Sequence, residues 1–261
     1  MAILLQEEIG ENVMYQFFVE PGQIVGNDIT ITGSDVNHIK QVLRMRVGEE
    51  LSVVTEGEDQ EYRCEIAAFE ETAVLCRLRF IKEEGVELLN RIYLFQGLPK
   101  SDKMELIVQK AVELGVFQII PVQTRRAVVK LDPKKEAARV ARWNAIAEAA
   151  AKQAKRRIIP QVAPVMTMKE AVDYCRSFEV KLIPYELSDK GGMDETRHKI
   201  AQIAPGQQVA VFIGPEGGFD EDEIQLAAGA GIVPITLGRR ILRTETAGFT
   251  VLAWLVYQLE Q

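Results

Sequence analysis

Apolar positions in the first third of the chain fall into short runs broken by turn residues. Tyr15 to Glu20, Asp28 to Thr32, Glu50 to Thr55, Tyr62 to Ala68 and Ala73 to Phe80 have the length and alternation of strands, which predicts a small β-barrel. Val36 to Arg46 interrupts them as a short helical or looped segment. The polar stretch Glu83-Glu84-Gly85-Val86-Glu87 is the expected linker, because the pattern changes after it. From Arg91 on, strand-like and helix-like periods alternate: Arg91 to Leu98, Lys103 to Leu114, Phe117 to Val122, Lys135 to Ala154, Val180 to Pro184, Val209 to Ile213, Glu221 to Ala230, Ile232 to Leu237 and Thr246 to Leu259. Such alternation predicts an α/β unit with a parallel sheet covered by helices. The expected organisation is therefore an extension over 1–13, a barrel over 14–85 and an α/β domain over 86–261.

Composition narrows the class. A chain of 261 residues with 47% hydrophobic positions can bury one large or two modest cores. Cys64, Cys76 and Cys175 show no paired spacing, so neither a disulfide framework nor a zinc site is expected. Two histidines, His38 and His198, add little capacity for metal. The start, Met1-Ala2-Ile3-Leu4-Leu5, turns acidic without a basic lead and does not read as a signal peptide. The apolar run Val251 to Tyr257 is too short to span a bilayer. A soluble, cytoplasmic protein without a membrane partner is the expectation.

Charge is distributed unevenly. The chain totals −7, yet residues 125 to 157 hold eleven Lys or Arg against three acids, a local +8. A smaller patch comes from Lys40, Arg44 and Arg46. Basic segments on an acidic body are the footprint of a nucleic-acid contact, although on an alanine-rich helix they also arise as a solvated face.

Two glycine-bearing loops follow strand-like runs in close succession, Phe212-Ile213-Gly214-Pro215-Glu216-Gly217-Gly218-Phe219 and Leu237-Gly238-Arg239-Arg240-Ile241-Leu242-Arg243-Thr244-Glu245-Thr246. Glycines there let backbone approach a ligand and adopt positive φ. The first loop lacks the Gly-Lys-Ser/Thr ending of a P-loop, and Gly229-Ala230-Gly231 meets Pro234 where a dinucleotide fingerprint needs its third glycine. Asp220, Glu221, Asp222 and Glu223 then open a helix, with Asp220 as N-cap and Glu223 as capping-box partner. Acids at a helix start repel a docked phosphate, so a cationic or neutral ligand fits better.

Gly214-Pro215-Glu216-Gly217-Gly218 followed by Leu237-Gly238-x-Arg240-Ile241-Leu242-Arg243-x-Glu245-Thr246-Ala247 resembles the cofactor region of the SPOUT methyltransferases. Together with Lys100-Ser101-Asp102-Lys103-Met104-Glu105, Gln109 to Gly115, Trp143 to Gln153 and His38 to Arg44, the pattern is most similar to the ribosomal small-subunit uridine-N3 methyltransferases. The resemblance covers nearly all of the chain after residue 14. It implies a PUA-like RNA-binding barrel, then a domain tied in a deep trefoil knot, a homodimer, and S-adenosylmethionine held by the loops. By the same resemblance, the cofactor contacts are Pro184, Tyr185, Glu186, Ile213, Gly214, Pro215, Glu216, Gly217, Gly218, Leu237, Gly238, Ile241, Leu242, Arg243 and Thr246.

Methyl transfer to nitrogen asks the protein to align donor and acceptor and exclude water. Uracil N3 carries a proton between two carbonyls, so a base or a nearby positive charge must help. Arg243 could stabilise the developing charge, or form a salt bridge with Glu245 or with the partner subunit. Glu216 could face the sulfonium, accept the proton, or cap a helix. His38, Lys40, Arg44 and Arg46, with Lys100, Lys103, Arg125 and Arg126, are the candidate RNA contacts. At the start of the barrel, Gln16-Phe17-Phe18 lacks the arginine usual in the family before the aromatic pair. The expected reaction is methylation of N3 of a uridine in 16S rRNA, in the decoding region of the small ribosomal subunit. The alternatives are a SPOUT enzyme with another rRNA or tRNA target, and a non-catalytic RNA-binding protein of the ribosome.

Overall fold

A computed structural model describes residues 14–56, 60–83, 85–129, 132–185 and 192–260. The chain divides into two compact units, one ending at Gly85 and the other beginning at Val86. The expected extension over 1–13 lies outside the described residues.

The first unit contains β1 (Gln16–Val19), β2 (Ile24–Val25), β3 (Asp28–Thr32), α1 (Ser34–Asn37), β4 (Glu50–Thr55), β5 (Glu61–Phe69) and β6 (Ala73–Lys82), with a π-type turn over His38–Val42 after α1. The sheet order is β1-β4-β5-β6-β3-β2, with β1 parallel to β4 and the other pairs antiparallel. Among the described residues β1 and β2 do not pair, so the expected barrel is a sheet left open between them rather than a closed ring. In a flat six-stranded sheet the outer strands would stand about 24 Å apart. Yet Phe17 of β1 and Ile29 of β3 share one buried core with Leu51, Ile66 and Val74, which requires the sheet to curl. Ile39 of the π-type turn enters the same core.

The second unit runs β7 (Arg91–Gly97), α2 (Lys103–Glu113), β8 (Gln118–Gln123), α3 (Pro133–Gln153), β9 (Gln161–Val162), β10 (Met166–Thr167), α4 (Met168–Tyr174), β11 (Val180–Pro184), α5 (Gly192–Ala201), β12 (Gln208–Ile213), α6 (Glu221–Gly229), β13 (Val233–Ile235) and α7 (Thr244–Leu259). The strands form a wholly parallel sheet in the order β10-β8-β7-β12-β11-β13, with β9 also on β8. β7 is buried from Ile92 to Gly97 because both of its faces are covered, as the continuous apolar run predicts. Phe95 and the adjacent strand's Phe212 stack with centroids 4.4 Å apart. In α2 the buried residues Met104, Ile107, Val108, Ala111 and Val112 follow the 3.6-residue period, and Gly115 at φ +80° ends the helix.

Five elements escape the sequence pattern, among them the two-residue strands β2 and β9. β10 and α4 share the segment 166–174, where Thr167 caps α4 and Glu170 completes its capping box. The helix α5 begins at Gly192. The predicted final strand, Ile232 to Leu237, shortens to Val233–Ile235, and the last helix starts two residues earlier than expected, at Thr244.

Candidate active site

In a parallel sheet all strands end on one edge, where ligands of α/β proteins gather. Here β12, β11 and β13 are neighbours, so the loops that follow them share a corner of that edge. The backbone N–H of Tyr185 donates to the Ile235 carbonyl at 3.0 Å and ties two of these loops at their roots. Glu186 lies outside the described residues. After β12, Gly218 N–H donates to Pro215 O at 2.9 Å and closes a tight turn. Gly218 has φ +67° and Gly238 φ +96°, conformations that favour glycine. A Cβ on Gly218 would meet nothing within 4 Å, and one on Gly238 only the Met193 sulfur at 4.0 Å. Both glycines therefore border open space.

Pro215 is seated against the end of β7. A Cβ on Gly97 would lie 2.6 Å from Pro215 Cδ and 2.7 Å from its nitrogen, a separation that no side chain can occupy. Ile213 and Pro215 are buried, while Pro184, Leu237 and Leu242 are half-buried. Ile241 is 86% exposed, so it is not the core residue that its type suggests.

A buried hydrogen-bond relay fixes the corner. Gln96 donates from Nε2 to Thr244 Oγ1 at 2.9 Å, and Thr244 donates to Gly214 O at 2.6 Å. Gln96 is 0% exposed, and its Oε1 has no hydrogen-bond partner among the described residues. β7, the first glycine loop and the start of α7 are thus joined through one hydroxyl. Thr246 is exposed on the first turn of α7, where its carbonyl accepts from Thr250 Oγ1 at 2.8 Å.

Glu216 points back across the loop. Its carboxylate lies 3.0 Å from Lys103 Nζ and accepts from the Lys100 backbone N–H at 3.2 Å. Burial pushes its acidity the other way, but the Lys103 hydrogen bond and the backbone donors outweigh it and hold the carboxyl below the ordinary glutamate range. The Lys103 ammonium is raised, chiefly by the bond to Glu216. A carboxylate so held is a poor proton acceptor, which argues against the expected catalytic role of Glu216. Glu245 also goes to Lys103, at 3.4 Å. Arg243 is exposed; its carbonyl accepts from the Ala247 N–H at 2.8 Å, but its guanidinium has no hydrogen bond or ion pair among the described residues, so the pairing with Glu245 open to it in sequence is not formed.

Arg125 and Arg126 are engaged. Arg125 Nη1 lies 3.2 Å from Asp220 and also pairs with Asp222, and these acids raise its affinity for its proton. Arg126 reaches Gly217 O at 3.3 Å and Asp220 at 3.8 Å. Glu223 completes the capping box with Asp220 and accepts from Arg125 N–H at 2.8 Å. The acidic helix start and the basic pair after β8 thus neutralise each other beside the first glycine loop. Lys100 is exposed.

In the first unit, Lys40 donates to the carbonyls of Glu70 and Glu71 and sits 5.8 Å from the Phe69 ring centre. Its charge is committed to the β5–β6 turn. His38 approaches Phe17 edge-on at 6.4 Å. Arg44 and Arg46 are exposed, with no side-chain partner among the described residues. Arg44 has φ +55°, a costly backbone state for a side-chain-bearing residue.

A cavity of about 800 Å³ lies beside the glycine loops rather than between them, at the ends of β8 and β10 and the start of α6, lined in part by Thr124, Lys169, Asp222 and Leu226. Sequence reasoning missed it because α4 and β10 were not foreseen; the Thr167-x-x-Glu170 spacing was the available signal. The three cysteines are buried as free thiols. No group of residues able to hold a metal is found among the described residues, and no described helix is long and apolar enough to cross a membrane.

Residues 87–256 match the RNA methyltransferase domain family, and residues 31–79 match the RNA methyltransferase PUA domain family. Ribosomal RNA small subunit methyltransferase E of Bacillus subtilis is 37% identical over 232 residues, covering 88% of this chain and 90% of the relative. The crystal structure of the Neisseria gonorrhoeae ribosomal RNA small subunit methyltransferase E, bound to S-adenosylmethionine, superposes with a TM-score of 0.79 at 32% identity, covering 92% of this chain and 95% of that one. A Legionella pneumophila protein solved with the same cofactor gives a TM-score of 0.80 at 32% identity, covering 93% and 96%.

Proposed function

The chain belongs to the RNA methyltransferase family, and from that premise we propose that it transfers the methyl group of S-adenosylmethionine to N3 of a uridine in 16S rRNA, in the decoding region of the small ribosomal subunit, giving 3-methyluridine. The observation that carries this reading is the corner of three loops at the ends of β11, β12 and β13. Gly218 and Gly238 border open space there, and exposed Ile241 offers an apolar wall. Backbone groups, rather than a phosphate cradle, border this corner, and the acids beside it are already paired with Lys103, Arg125 and Arg126. Pro184, Tyr185, Glu186, residues 213–218 and residues 237–243 would hold the cofactor. When bound, the cofactor supplies an electrophilic methyl group on a positively charged sulfur.

The protein's own part is positioning and charge. The Gln96–Thr244–Gly214 relay fixes the loop that must align donor and acceptor, and alignment is the main lever for a displacement of this kind. Arg243, whose guanidinium has no partner among the described residues, stabilises the negative charge that spreads onto the uracil carbonyls as N3 gives up its proton to solvent. Glu216 acts as a positioning residue that anchors Lys100 and Lys103 instead of taking that proton. Arg44 and Arg46 in the first unit and Lys100 in the second are the free cations for RNA phosphates. The PUA match of the first unit supports an RNA-binding role.

The knot and the homodimer belong to the same proposal. β11 sits between β12 and β13 in the sheet, yet the chain leaving β13 returns to bond Gly214 at the end of β12. This return of the chain across β11 supports the knotted reading. Ile241 and Tyr257, each 86% exposed, are apolar side chains that a second protomer would cover. The deciding experiment incubates the purified protein with undermethylated small subunits and labelled S-adenosylmethionine and identifies the labelled nucleoside. Formation of 3-methyluridine is the expected result. Label in another nucleoside would redirect the protein to a different RNA target, and cofactor binding without label on any subunit would favour the non-catalytic reading.

A further inference from the structure

The cavity at the ends of β8 and β10 has no part in the reading above. It is an open groove of about 800 Å³, large enough to seat a small ligand on its floor without enclosing it. Leu226, 41% exposed, and Met168 line its apolar side. Thr124 lines it too; this residue is 3% exposed, and its hydroxyl has no hydrogen-bond partner among the described residues. Buried hydroxyls are ordinarily paired, because leaving one unmade is costly; this one lies just beneath the cavity wall, so a group that displaces the wall slightly and supplies the missing bond gains from binding here. The carboxylates on the wall are already occupied. Asp222 is paired with Arg125, and Glu223 accepts from the backbone N–H groups of Arg125 and Asp220. Lys169 is the exposed cation on the rim and has no partner among the described residues.

One cation, a hydroxyl in need of a partner and an apolar floor match one nucleotide with a single phosphate. They do not match a di- or triphosphate, which would require more positive charge or a cradle of backbone N–H groups. The cavity also adjoins the cofactor corner, because Arg125 lines it while neighbouring Arg126 bonds Gly217 of the first loop. RNA is read mostly through unpaired bases splayed from the strand. We propose that this cavity receives one unpaired nucleotide of the RNA substrate, its base on Met168 and Leu226 with an edge toward Thr124 and its phosphate toward Lys169. The inference rests on the reading of the protein as an RNA methyltransferase.

The test follows backbone amide resonances of the full chain while uridine 5′-monophosphate and adenosine 5′-monophosphate are added, with and without saturating S-adenosylmethionine. Saturable shifts are expected at residues 122–126, 166–170 and 222–227, whether or not the cofactor is present. Leu226→Asp, a change at an exposed position, should abolish them. It should also raise KM for small subunits about tenfold, the usual scale for losing one base contact, with cofactor affinity unchanged. Lys169→Glu, on the opposite rim, should raise the same KM and steepen no other parameter. Shifts confined to the glycine loops, or no saturable shift, would overturn the proposal. Nucleotide binding with an unaltered KM in both variants would also overturn it, since the cavity would then serve a free nucleotide. Failure of the methyltransferase reading is recognised separately, by wild-type protein that shows these shifts and yet labels no subunit.

Discussion

The Lys103 ammonium stands 3.0 Å from the Glu216 carboxylate, which fastens the start of α2 to the first glycine loop. A second contact from Lys103 to Glu245 at 3.4 Å brings in the first turn of α7. One lysine therefore ties together three chain segments that border the proposed cofactor corner.

Lys103→Met should weaken S-adenosylmethionine binding and change its pH dependence. The Glu216 carboxyl is lowered in the folded protein, so its contribution is fully present above the ordinary carboxylate range and is lost as pH falls through the lowered value. The lysine is raised, so the pair persists through neutral and moderately alkaline pH. Wild-type cofactor affinity, titrated across the acid range in a buffer where the fold survives, should drop with acid. The drop should be missing in the variant; an identical profile would show that the pair does not hold the loop.

Arg243→Ala should lower kcat about 10²- to 10³-fold, the scale of removing one donor to a developing oxyanion, a larger effect than the accompanying loss of cofactor affinity. Single-turnover methylation of small subunits separates the two quantities. A parallel loss of cofactor binding would make Arg243 a binding residue only.

Gly217→Val should abolish cofactor binding in a protein that remains folded. A Cβ there would meet Arg126 Cβ at 3.2 Å and Arg126 O at 3.5 Å, and the larger valine side chain pushes the loop away from the turn that carries Arg126. Displacement of the loop, rather than occupation of the ligand's own space, is the cause. Calorimetric titration with a circular-dichroism check of folding measures it, and wild-type affinity would remove this loop from the site.

Replacing Arg44 and Arg46 by alanine should flatten the salt dependence of RNA binding by close to one unit of slope per lost phosphate contact. Replacing Arg125 and Arg126 should change the slope less, because Asp220 and Asp222 already offset them. Affinity measured from low to moderate salt distinguishes the pairs. An equal loss of slope in both would mean that RNA opens the ion pairs.

Thr244→Val leaves Gly214 O without its donor and removes one of the two acceptors of Gln96 Nε2, the other being the Gly97 carbonyl. The cost should be about 1–3 kcal/mol, visible as a lower urea midpoint at unchanged m-value. A midpoint within error of wild type would show that the corner relaxes around the missing hydroxyl.

The strands of both units were legible where apolar runs were long enough to show a period. Asp28–Thr32 and Val180–Pro184 agree to the residue. β9 and β10, at two residues each, carry no period at all. The glycine loops and their order were also legible, because close backbone approach demands particular residue types. The partners that decide chemistry were not. Gln96 and Thr244 are 148 residues apart, and Lys100 and Glu216 are 116 apart, so their pairing depends on topology rather than on local pattern. The same distance hid the neutralisation of Arg125 by Asp222, which turned an apparent basic patch into a salt-bridged wall.

The contact between Gly97 and Pro215 has a consequence for descent as well as for folding. With 2.6 Å between a hypothetical Cβ and the proline ring and 2.7 Å to the proline nitrogen, Gly97 cannot drift alone: any larger residue there must wait for the backbone of the first loop to move. A lineage that holds this loop in place should keep the glycine, and where a larger residue stands at 97 the pocket beside it should have been rebuilt for a different ligand.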